Sequence, residues 1–228
     1  MPSLLASLLR PPSAFARAWR ALYEGIYYVL ESGTRLVFRT LFRVRRVGPP
    51  PSLPAGGVLL CPNHQSYLDP ALVQVVLRRR LTFVMTNEFY RSRAANWFFR
   101  LVGALPIGRG RVAHASVRRA IGLLQTGSAV VVFPEGRLST DGSLHPAQRG
   151  IARLAREGRA PIIPVAIEGS MRAWPRGARW LRRADVRIGF GDPIPWVGSP
   201  DRGADQAFAD GVLEAIKAVQ ARLPGPRA

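Results

Sequence analysis

From Val58 onward, the chain alternates short apolar segments with longer segments whose apolar residues recur at helical spacing. The segments typical of buried strands are "VLLCP", "LTFVM", "AVVVFP" and "PIIPVAI", and "ADVRIGFG" alternates as a half-buried strand does. The segments typical of helices are "PALVQVVLRRR", "AHASVRRAIGLLQTG", "GIARLAREG" and "DQAFADGVLEAIKAVQARL", while "NWFFRLVGALPI" combines a helix with a short strand. This alternation predicts an α/β domain over residues 58–228, with a mixed, mostly parallel sheet flanked by helices.

Residues 1–46 have a different character. Their apolar residues recur at three- and four-residue steps, and aromatic rings and arginines are frequent among them. The pattern predicts an N-terminal amphipathic helical membrane-association element, with rings among lipid headgroups and guanidinium groups near phosphates. The alternative is a helix that packs on the domain core.

A Pro/Gly-rich linker over residues 47–57 marks the boundary between this element and the α/β domain. No segment reaches 18 uninterrupted apolar residues, so the sequence predicts no clear transmembrane helix. A spanning helix over residues 21–42 is disfavoured because charged residues interrupt it, namely Glu24, Glu31, Arg35 and Arg39.

The balance of charge is strongly basic. Thirty-three Lys and Arg residues face 14 Asp and Glu residues, which gives a net charge of +19, and Lys217 is the only lysine. Such a chain attracts polyanions, whether nucleic acid, an anionic membrane surface or a phosphorylated substrate. A single cysteine, Cys61, excludes an intrachain disulfide and a cysteine-rich metal site.

The loop "CPNHQSYLDP" carries a histidine and an aspartate with four residues between them. Asp69 followed by Pro70 is typical of a helix start, with Asp69 as the N-cap. His64 then lies on a loop between a buried strand and a helix, where its ring and the Asp69 carboxylate can hydrogen-bond. Such a pair forms a general base. The alternative is a polar turn in which His64 satisfies backbone groups and Asp69 is an ordinary cap.

Two further loops carry charged residues at turns. "GALPIGRGR" is a Gly-rich turn ending in Arg109 and Arg111, and arginine can bind phosphate with two parallel hydrogen bonds. "VVVFPEGRLSTDGS" places Glu135 and Arg137 after a buried strand, where they can hold an acceptor substrate and its anionic head group. The alternatives are a solvated basic loop and a Glu–Arg surface pair.

Taken in order, four stretches resemble the glycerolipid acyltransferase family, which includes the lysophosphatidic acid acyltransferases. They are His64 to Asp69, Gly103 to Arg109, Phe133 to Gly136, and Ile163-Pro164-Val165. The resemblance covers roughly residues 55–195. A histidine and an aspartate with four residues between them are common by chance, whereas four such motifs in the family's order and spacing are specific.

The resemblance implies an enzyme of phospholipid biosynthesis at the cytoplasmic face of the cell membrane, as a peripheral or monotopic protein. It implies acyl transfer from acyl-CoA or acyl-carrier protein to a lysophospholipid hydroxyl, without metal or cofactor and without an acyl-enzyme. His64 is then the general base, Asp69 orients it, and Arg109 binds the acceptor phosphate. Glu135 and Gly136 shape the acceptor site, and Pro164 forms a wall for the acyl donor.

Two departures from the family pattern concern the acceptor head group. Relatives that make phosphatidate often have Phe-Pro-Glu-Gly-Thr-Arg-Ser, whereas this chain has "FPEGRLS", with Arg137 one place early and Leu138 at the usual arginine position. A lysine that relatives often have after the second strand is absent here, and Thr86 and Asn87 stand near that position. The expected acceptor is 1-acylglycerol 3-phosphate, and the alternatives are another lysolipid or glycerol 3-phosphate.

Two other classes of protein remain open at this point. A cysteine or serine hydrolase would use Cys61 or Ser66, but Cys61 ends an apolar strand and Ser66 lacks a Gly-x-Ser-x-Gly elbow. A non-enzymatic protein would use its arginines to bind an anionic membrane or nucleic acid. No helix-turn-helix, zinc-finger or RNA-binding signature is present, so nucleic acid is not an expected partner.

Overall fold

The computed structural model describes residues 14–49, 51, 53–86, 90, 96, 104–107, 111–175, 177–178, 180–197 and 201–224. The helices are α1 (Ala14–Leu41), α2 (Asp69–Val76), α3 (Arg111–Gln125), α4 (Gly150–Gly158), α5 (Ser170–Ala173) and α6 (Arg202–Ala221). The strands are β1 (Arg45–Arg46), β2 (Val58–Pro62), β3 (Leu81–Thr86), β4 (Leu105–Ile107), β5 (Ala129–Val131), β6 (Ile162–Glu168) and β7 (Arg187–Phe190). Helices and strands thus alternate after residue 58 as the sequence predicts. The helix predicted ahead of β4 lies outside the described residues.

Within the described residues, seven strands form one sheet in the order β1-β7-β6-β2-β5-β3-β4. Strands β6, β2, β5, β3 and β4 run parallel to one another. Strand β7 pairs antiparallel with β6, and β1 pairs parallel with β7, so these two run against the other five. The sheet is therefore mixed and mostly parallel, which confirms that part of the predicted fold class.

The sheet is covered by helices on both faces. Val58 and Leu60 of β2 join an apolar cluster with α2 and the end of α1, whereas Leu59 and Cys61 join a second cluster with α3, α4 and α6. All five residues of β2 are buried. A strand covered on both faces has a continuous apolar sequence, and this explains why "VLLCP" shows no alternation.

Helix α2 ends at Val76 and is therefore shorter than the segment "PALVQVVLRRR" predicts. The side chain of Gln74 accounts for the early end. Its Nε2 donates to the Arg79 carbonyl at 3.2 Å, and its Oε1 accepts from the Leu81 amide at 3.1 Å. These two bonds fix the turn into β3. The turn could not form if the helix continued through these residues.

The end of α1 and strand β1 pack against the α/β core, although both precede the predicted linker. Phe42 is 1 % exposed and Val44 is 8 % exposed. Arg35 Nη2 donates to the Leu77 carbonyl at 3.1 Å and so connects α1 to the carboxyl end of α2. The last residues of the predicted N-terminal element therefore also serve the core.

Other parts of α1 leave large apolar side chains exposed, namely Leu22, Ile26, Tyr28, Val29, Leu36 and Val37. In the described part of the chain, no helix combines the length and the apolar character needed to cross a bilayer. An exposed apolar helix surface is consistent with an interfacial position. The membrane-association role of residues 1–46 stays a prediction.

Candidate active site

His64 and Asp69 lie together on the loop between β2 and α2. The Nδ1 atom of His64 is 2.9 Å from Oδ2 of Asp69, whose side chain is fully buried. The same Oδ2 accepts from the backbone amides of Gln65 at 2.7 Å and Ser66 at 2.8 Å. A carboxylate can only accept hydrogen bonds, so the His64 nitrogen that contacts it must be the donor. Nδ1 therefore carries the ring proton, and Nε2 keeps a free lone pair.

Asp69 is not the N-cap that the sequence predicts. Leu68 occupies the N-cap position with helical backbone angles, and no side chain caps the first turn. The Asp69 carboxylate instead turns back toward the loop amides and the His64 ring, so it cannot reach the amides of its own helix. Its Oδ1 is buried without a hydrogen-bond partner among the described residues.

Asn63 attaches the start of this loop to the neighbouring strand. Its Nδ2 donates to the Ile167 carbonyl at 3.0 Å, and its Oδ1 accepts from the Ile167 amide at 2.7 Å. Asn63 is completely buried. This positioning role was not predicted, and the only signal for it is a polar amide between a buried strand and the histidine.

Glu135 connects the loop after β5 to the His64 loop. Its Oε1 accepts from the His64 amide at 2.9 Å, and its Oε2 accepts from the His145 amide at 2.9 Å. Glu135 is only 3 % exposed, and this burial raises the pKa of its carboxyl although both amide bonds oppose the shift. Both of its oxygens thus bind loop backbone, and its predicted contact with the acceptor remains untested.

The His64 ring is held from one side by Phe133, whose ring stacks on it with centroids 3.9 Å apart and planes 22° apart. The Ser139 amide also donates to the His64 carbonyl at 2.8 Å. The His64 side chain remains 19 % exposed. Backbone and ring are therefore both restrained, and a substrate can still reach the imidazole.

Gly136 and Arg137 form the turn beside this centre. Gly136 has φ +64°, and a Cβ there would lie 3.3 Å from the side chain of Gln148, so both backbone and space favour glycine. Arg137 is exposed, and its Nη2 donates to Nδ1 of His145 at 2.9 Å. The structure thus places a cationic side chain at the surface near the loop that Glu135 holds.

Pro164 and Arg109 are the remaining predicted substrate-binding residues. Pro164 is buried within β6, in register with Cys61, at the point where pairing with β7 is interrupted. A proline fits there because it has no amide to donate. Its predicted role as a wall for the acyl donor gains no support from this placement. Arg109 lies outside the described residues.

The two alternative nucleophiles are poorly placed for covalent chemistry. Cys61 is fully buried, and desolvation raises the pKa of its thiol. Ser66 is also buried, and its Oγ donates to the Trp174 carbonyl at 2.9 Å while accepting from the Leu68 amide.

Among the described residues, no group of His, Cys, Asp and Glu side chains is arranged to hold a metal ion.

The candidate centre lies at the carboxyl edge of the parallel strands, because the His64 loop follows β2 and the Glu135 loop follows the neighbouring β5. Functional loops collect at this edge in open α/β sheets. The arrangement offers one imidazole with its proton held on Nδ1, one buried carboxylate behind it, and an Nε2 atom on a side chain that remains 19 % exposed. It can take a proton from a hydroxyl and stabilise the imidazolium that results.

The chain is similar to known acyltransferases. A family model described as "Acyltransferase" matches residues 43–168. A 1-acyl-sn-glycerol-3-phosphate acyltransferase of Bacillus subtilis is 24 % identical over 75 % of this chain and 86 % of its own. A chloroplastic enzyme of that name from Brassica napus is 29 % identical over 58 % of this chain but only 39 % of its own. The human enzyme of that name, the alpha form, is 30 % identical over 67 % of this chain and 54 % of its own.

The fold is also found in a solved structure. The crystal structure of the 1-acyl-sn-glycerophosphate acyltransferase of Thermotoga maritima superposes with a TM-score of 0.72, at 22 % sequence identity. The alignment covers 97 % of this chain and 88 % of that one. The family match spans more than half of the residues and includes both the His64 loop and the Glu135 loop. The chain therefore belongs to the acyltransferase family, in a group that resembles the lysophosphatidic acid acyltransferases.

Proposed function

We propose that this protein is an O-acyltransferase that moves a fatty acyl group from a thioester to the free hydroxyl of a lysophospholipid. The observation that carries the proposal is the 2.9 Å contact between His64 Nδ1 and the buried Asp69 carboxylate, which leaves Nε2 as a base at an accessible site. His64 and Asp69 are the proposed catalytic residues.

The chemistry proceeds in two steps at the carbonyl carbon of the thioester. Nε2 of His64 takes the proton of the acceptor hydroxyl as its oxygen attacks the thioester carbonyl, and Asp69 stabilises the imidazolium that forms. The tetrahedral intermediate then collapses, the C–S bond breaks and the thiolate leaves. The imidazolium returns the proton to that sulfur, so the products are an ester and a free thiol and His64 is regenerated.

We propose 1-acylglycerol 3-phosphate as the acceptor and phosphatidic acid as the product. The names of the relatives support this choice, and so does the exposed guanidinium of Arg137 close to the His64 loop. Arg109, Glu135, Gly136 and Pro164 remain the other proposed substrate-binding positions. Another lysolipid or glycerol 3-phosphate is the alternative acceptor, because "FPEGRLS" departs from the pattern common among enzymes that make phosphatidate.

Residues 1–46 are proposed to hold the enzyme on the cytoplasmic face of an anionic membrane, where a lysophospholipid is available. The exposed apolar side chains of α1 and the net charge of +19 support this proposal. No cofactor is required, since acyl-CoA or acyl-carrier protein enters as a co-substrate and leaves as the free thiol.

The test is incubation of the purified protein with labelled acyl-CoA or labelled acyl-carrier protein and a panel of acceptors. The panel contains lysophosphatidate, lysophosphatidylglycerol, lysophosphatidylethanolamine and glycerol 3-phosphate, with products resolved by mass. We expect phosphatidate to form fastest, and His64→Ala to abolish its formation. A different preferred acceptor would replace the proposed one. No transfer to any acceptor, with vesicle binding intact, would favour a non-enzymatic membrane-binding protein.

A further inference from the structure

A groove of about 1020 Å³ lies between α1, the carboxyl end of α2 and residues 51 and 53–55 ahead of β2. Five of its lining side chains are arginines, namely Arg35, Arg39, Arg46, Arg78 and Arg79, and no acidic residue lines its described part. Its volume is comparable with that of sites for small ligands. The proposed acyl transfer uses none of these residues.

Two of the five arginines hold the groove together. Arg79 donates to three carbonyl oxygens at 2.6 Å each, those of Pro54, Gly56 and Gly127. Arg35 donates to the Leu77 carbonyl and thereby holds α1 against α2. The groove walls are therefore cross-linked by guanidinium groups whose donors are directed at backbone.

The other three arginines, Arg39, Arg46 and Arg78, are exposed. None of them forms an ion pair with a carboxylate of the described residues. They come from three different elements, namely α1, β1 and the turn after α2. Three guanidinium groups around one concave surface, without a carboxylate of the described residues paired to them, favour an external anion.

Most of the groove lies away from the His64 loop. Residues 51 and 53–55 precede β2, Arg79 precedes β3 and Gly127 precedes β5, so this part of the groove is at the amino ends of these strands. Arg46 is instead level with the carboxyl half of β6, but it lies on β1, which β7 and β6 separate from β2. The His64 and Glu135 loops follow the carboxyl ends. The five residues of β2, at about 3.3 Å each, separate the two ends of this strand by about 17 Å. One ligand headgroup cannot occupy both sites.

We propose that this groove binds the phosphate headgroup of an anionic phospholipid that is not the acyl acceptor. Arginine matches a phosphodiester through paired hydrogen bonds. The groove also has an apolar lining that includes Leu53, Val76 and Leu77, and the adjoining α1 leaves Leu36 and Val37 exposed. An amphiphile uses both kinds of surface, whereas free phosphate uses only the arginines. A lipid bound in the groove then adds a specific contact between α1 and the bilayer.

The test compares two triple variants with the same loss of charge in the full-length chain. R39Q/R46Q/R78Q removes the exposed arginines of the groove, and R118Q/R119Q/R183Q removes three exposed arginines elsewhere. Flotation uses phosphatidylcholine vesicles with and without phosphatidylglycerol at physiological salt. Calorimetry with dihexanoyl phosphatidylglycerol, which is soluble as a monomer, reports a site rather than surface charge. Circular dichroism melts confirm that both variants fold.

We expect the groove variant to lose at least about 10-fold in affinity for anionic vesicles and the control variant less than about 3-fold. Short-chain phosphatidylglycerol should bind the parent and the control variant but not the groove variant. Equal losses in both variants would overturn the proposal, because they would indicate diffuse charge. Inorganic phosphate binding as tightly as the short-chain lipid would overturn the lipid assignment. The lipid assignment would also be overturned if the groove variant no longer bound acidic acyl-carrier protein but still bound anionic vesicles.

Discussion

His64 is restrained at its backbone as well as at its ring. Its amide donates to Glu135, its carbonyl accepts from the Ser139 amide, and its Nδ1 is bonded to Asp69. The Phe133 ring covers one of its faces. Because these contacts leave Nε2 as the ring atom able to act, the residue is preorganised as a base, and a small displacement would cost much of its effect.

Removing the imidazole tests its proposed role directly. We expect His64→Ala to lower kcat/KM by about 10²- to 10⁴-fold, the usual contribution of a positioned general base, with vesicle binding unchanged. Asp69→Asn should lower kcat by a comparable factor with little change in KM, because an amide no longer stabilises the imidazolium. The matched control is His114→Ala on the exposed surface of α3. Retention of more than half of the activity in His64→Ala would eliminate the mechanism.

The covalent alternative makes a separate prediction at two buried residues. We expect Cys61→Ala and Ser66→Ala to keep kcat within about 3-fold, because neither side chain is accessible and general-base transfer needs neither. Ser66→Ala should lose stability, about 1 kcal/mol, since it removes the bond to the Trp174 carbonyl. Rates are measured under saturating acceptor, and stability by urea unfolding. A loss of more than 10³-fold in kcat for either variant would favour an acyl-enzyme.

Among the elements, the sequence predicts those whose own residues determine their structure. Strand β2 and helix α4 are evident from apolar density and periodicity, and "FPEGR" is evident as a strand-end turn. Strand β1 was not predicted, because two arginines form a strand only when β7 offers its backbone. The pairing of His64 with Asp69 follows from their spacing. The amides that also bind Asp69 depend on the loop path, which spacing does not specify.

Arg79 is the residue that connects the turn after α2 to the loops before β2 and β5. Its guanidinium satisfies three carbonyls at once, so we expect Arg79→Ala to lower the free energy of unfolding by about 2–4 kcal/mol. The adjacent Arg78 is exposed and donates to no described carbonyl. Arg78→Ala is the matched control and should change stability by less than about 0.5 kcal/mol. Equal urea midpoints for the two variants would contradict a structural role for Arg79.

The loop over residues 139–143 carries a pH-dependent contribution to stability. Hydrogen bonds from Ser143, through Oγ and the amide, and from Ser139 Oγ lower the pKa of Asp141 from its ordinary value of 3.8 to about 2. Since the folded protein holds this proton less tightly, the contribution is complete above about pH 4. It is lost as the pH falls toward 2.

We therefore expect Asp141→Asn to be less stable than the parent near neutral pH, and the difference to shrink between about pH 4 and 2. Thermal melts across this range measure it. Asp192→Asn, at an exposed aspartate, serves as the control and should show no such convergence. A stability difference for Asp141→Asn that stays constant down to pH 2 would contradict the hydrogen-bonding account.

At the scale of the whole molecule, residues 14–46 carry a pattern with two interpretations that the sequence could not separate. Periodicity, rings and arginines predict an amphipathic helix, but the same pattern serves a membrane surface or a protein core. The structure shows that Phe42 and Val44 are buried with the sheet, while apolar residues such as Leu22 and Val29 are exposed. Core packing is thus shown for Phe42 and Val44, and the membrane-association role of the segment stays a prediction. A boundary at residue 46 and a boundary inside α1 predict different behaviour on truncation.

Two truncations distinguish these boundaries. Deleting residues 1–31 removes the exposed apolar residues up to Val29 but keeps Arg35 and Phe42, so we expect the remaining chain to melt cooperatively and to bind anionic vesicles more weakly. Deleting residues 1–46 also removes Phe42, Val44 and β1. Loss of the Phe42 side chain alone costs about 3–5 kcal/mol, so this shorter chain should be strongly destabilised or fail to fold. Phe42→Ala in the full chain is the matched control, with stability lowered and vesicle binding kept. A chain without residues 1–46 that melts at the parent's temperature would instead support a boundary at residue 46.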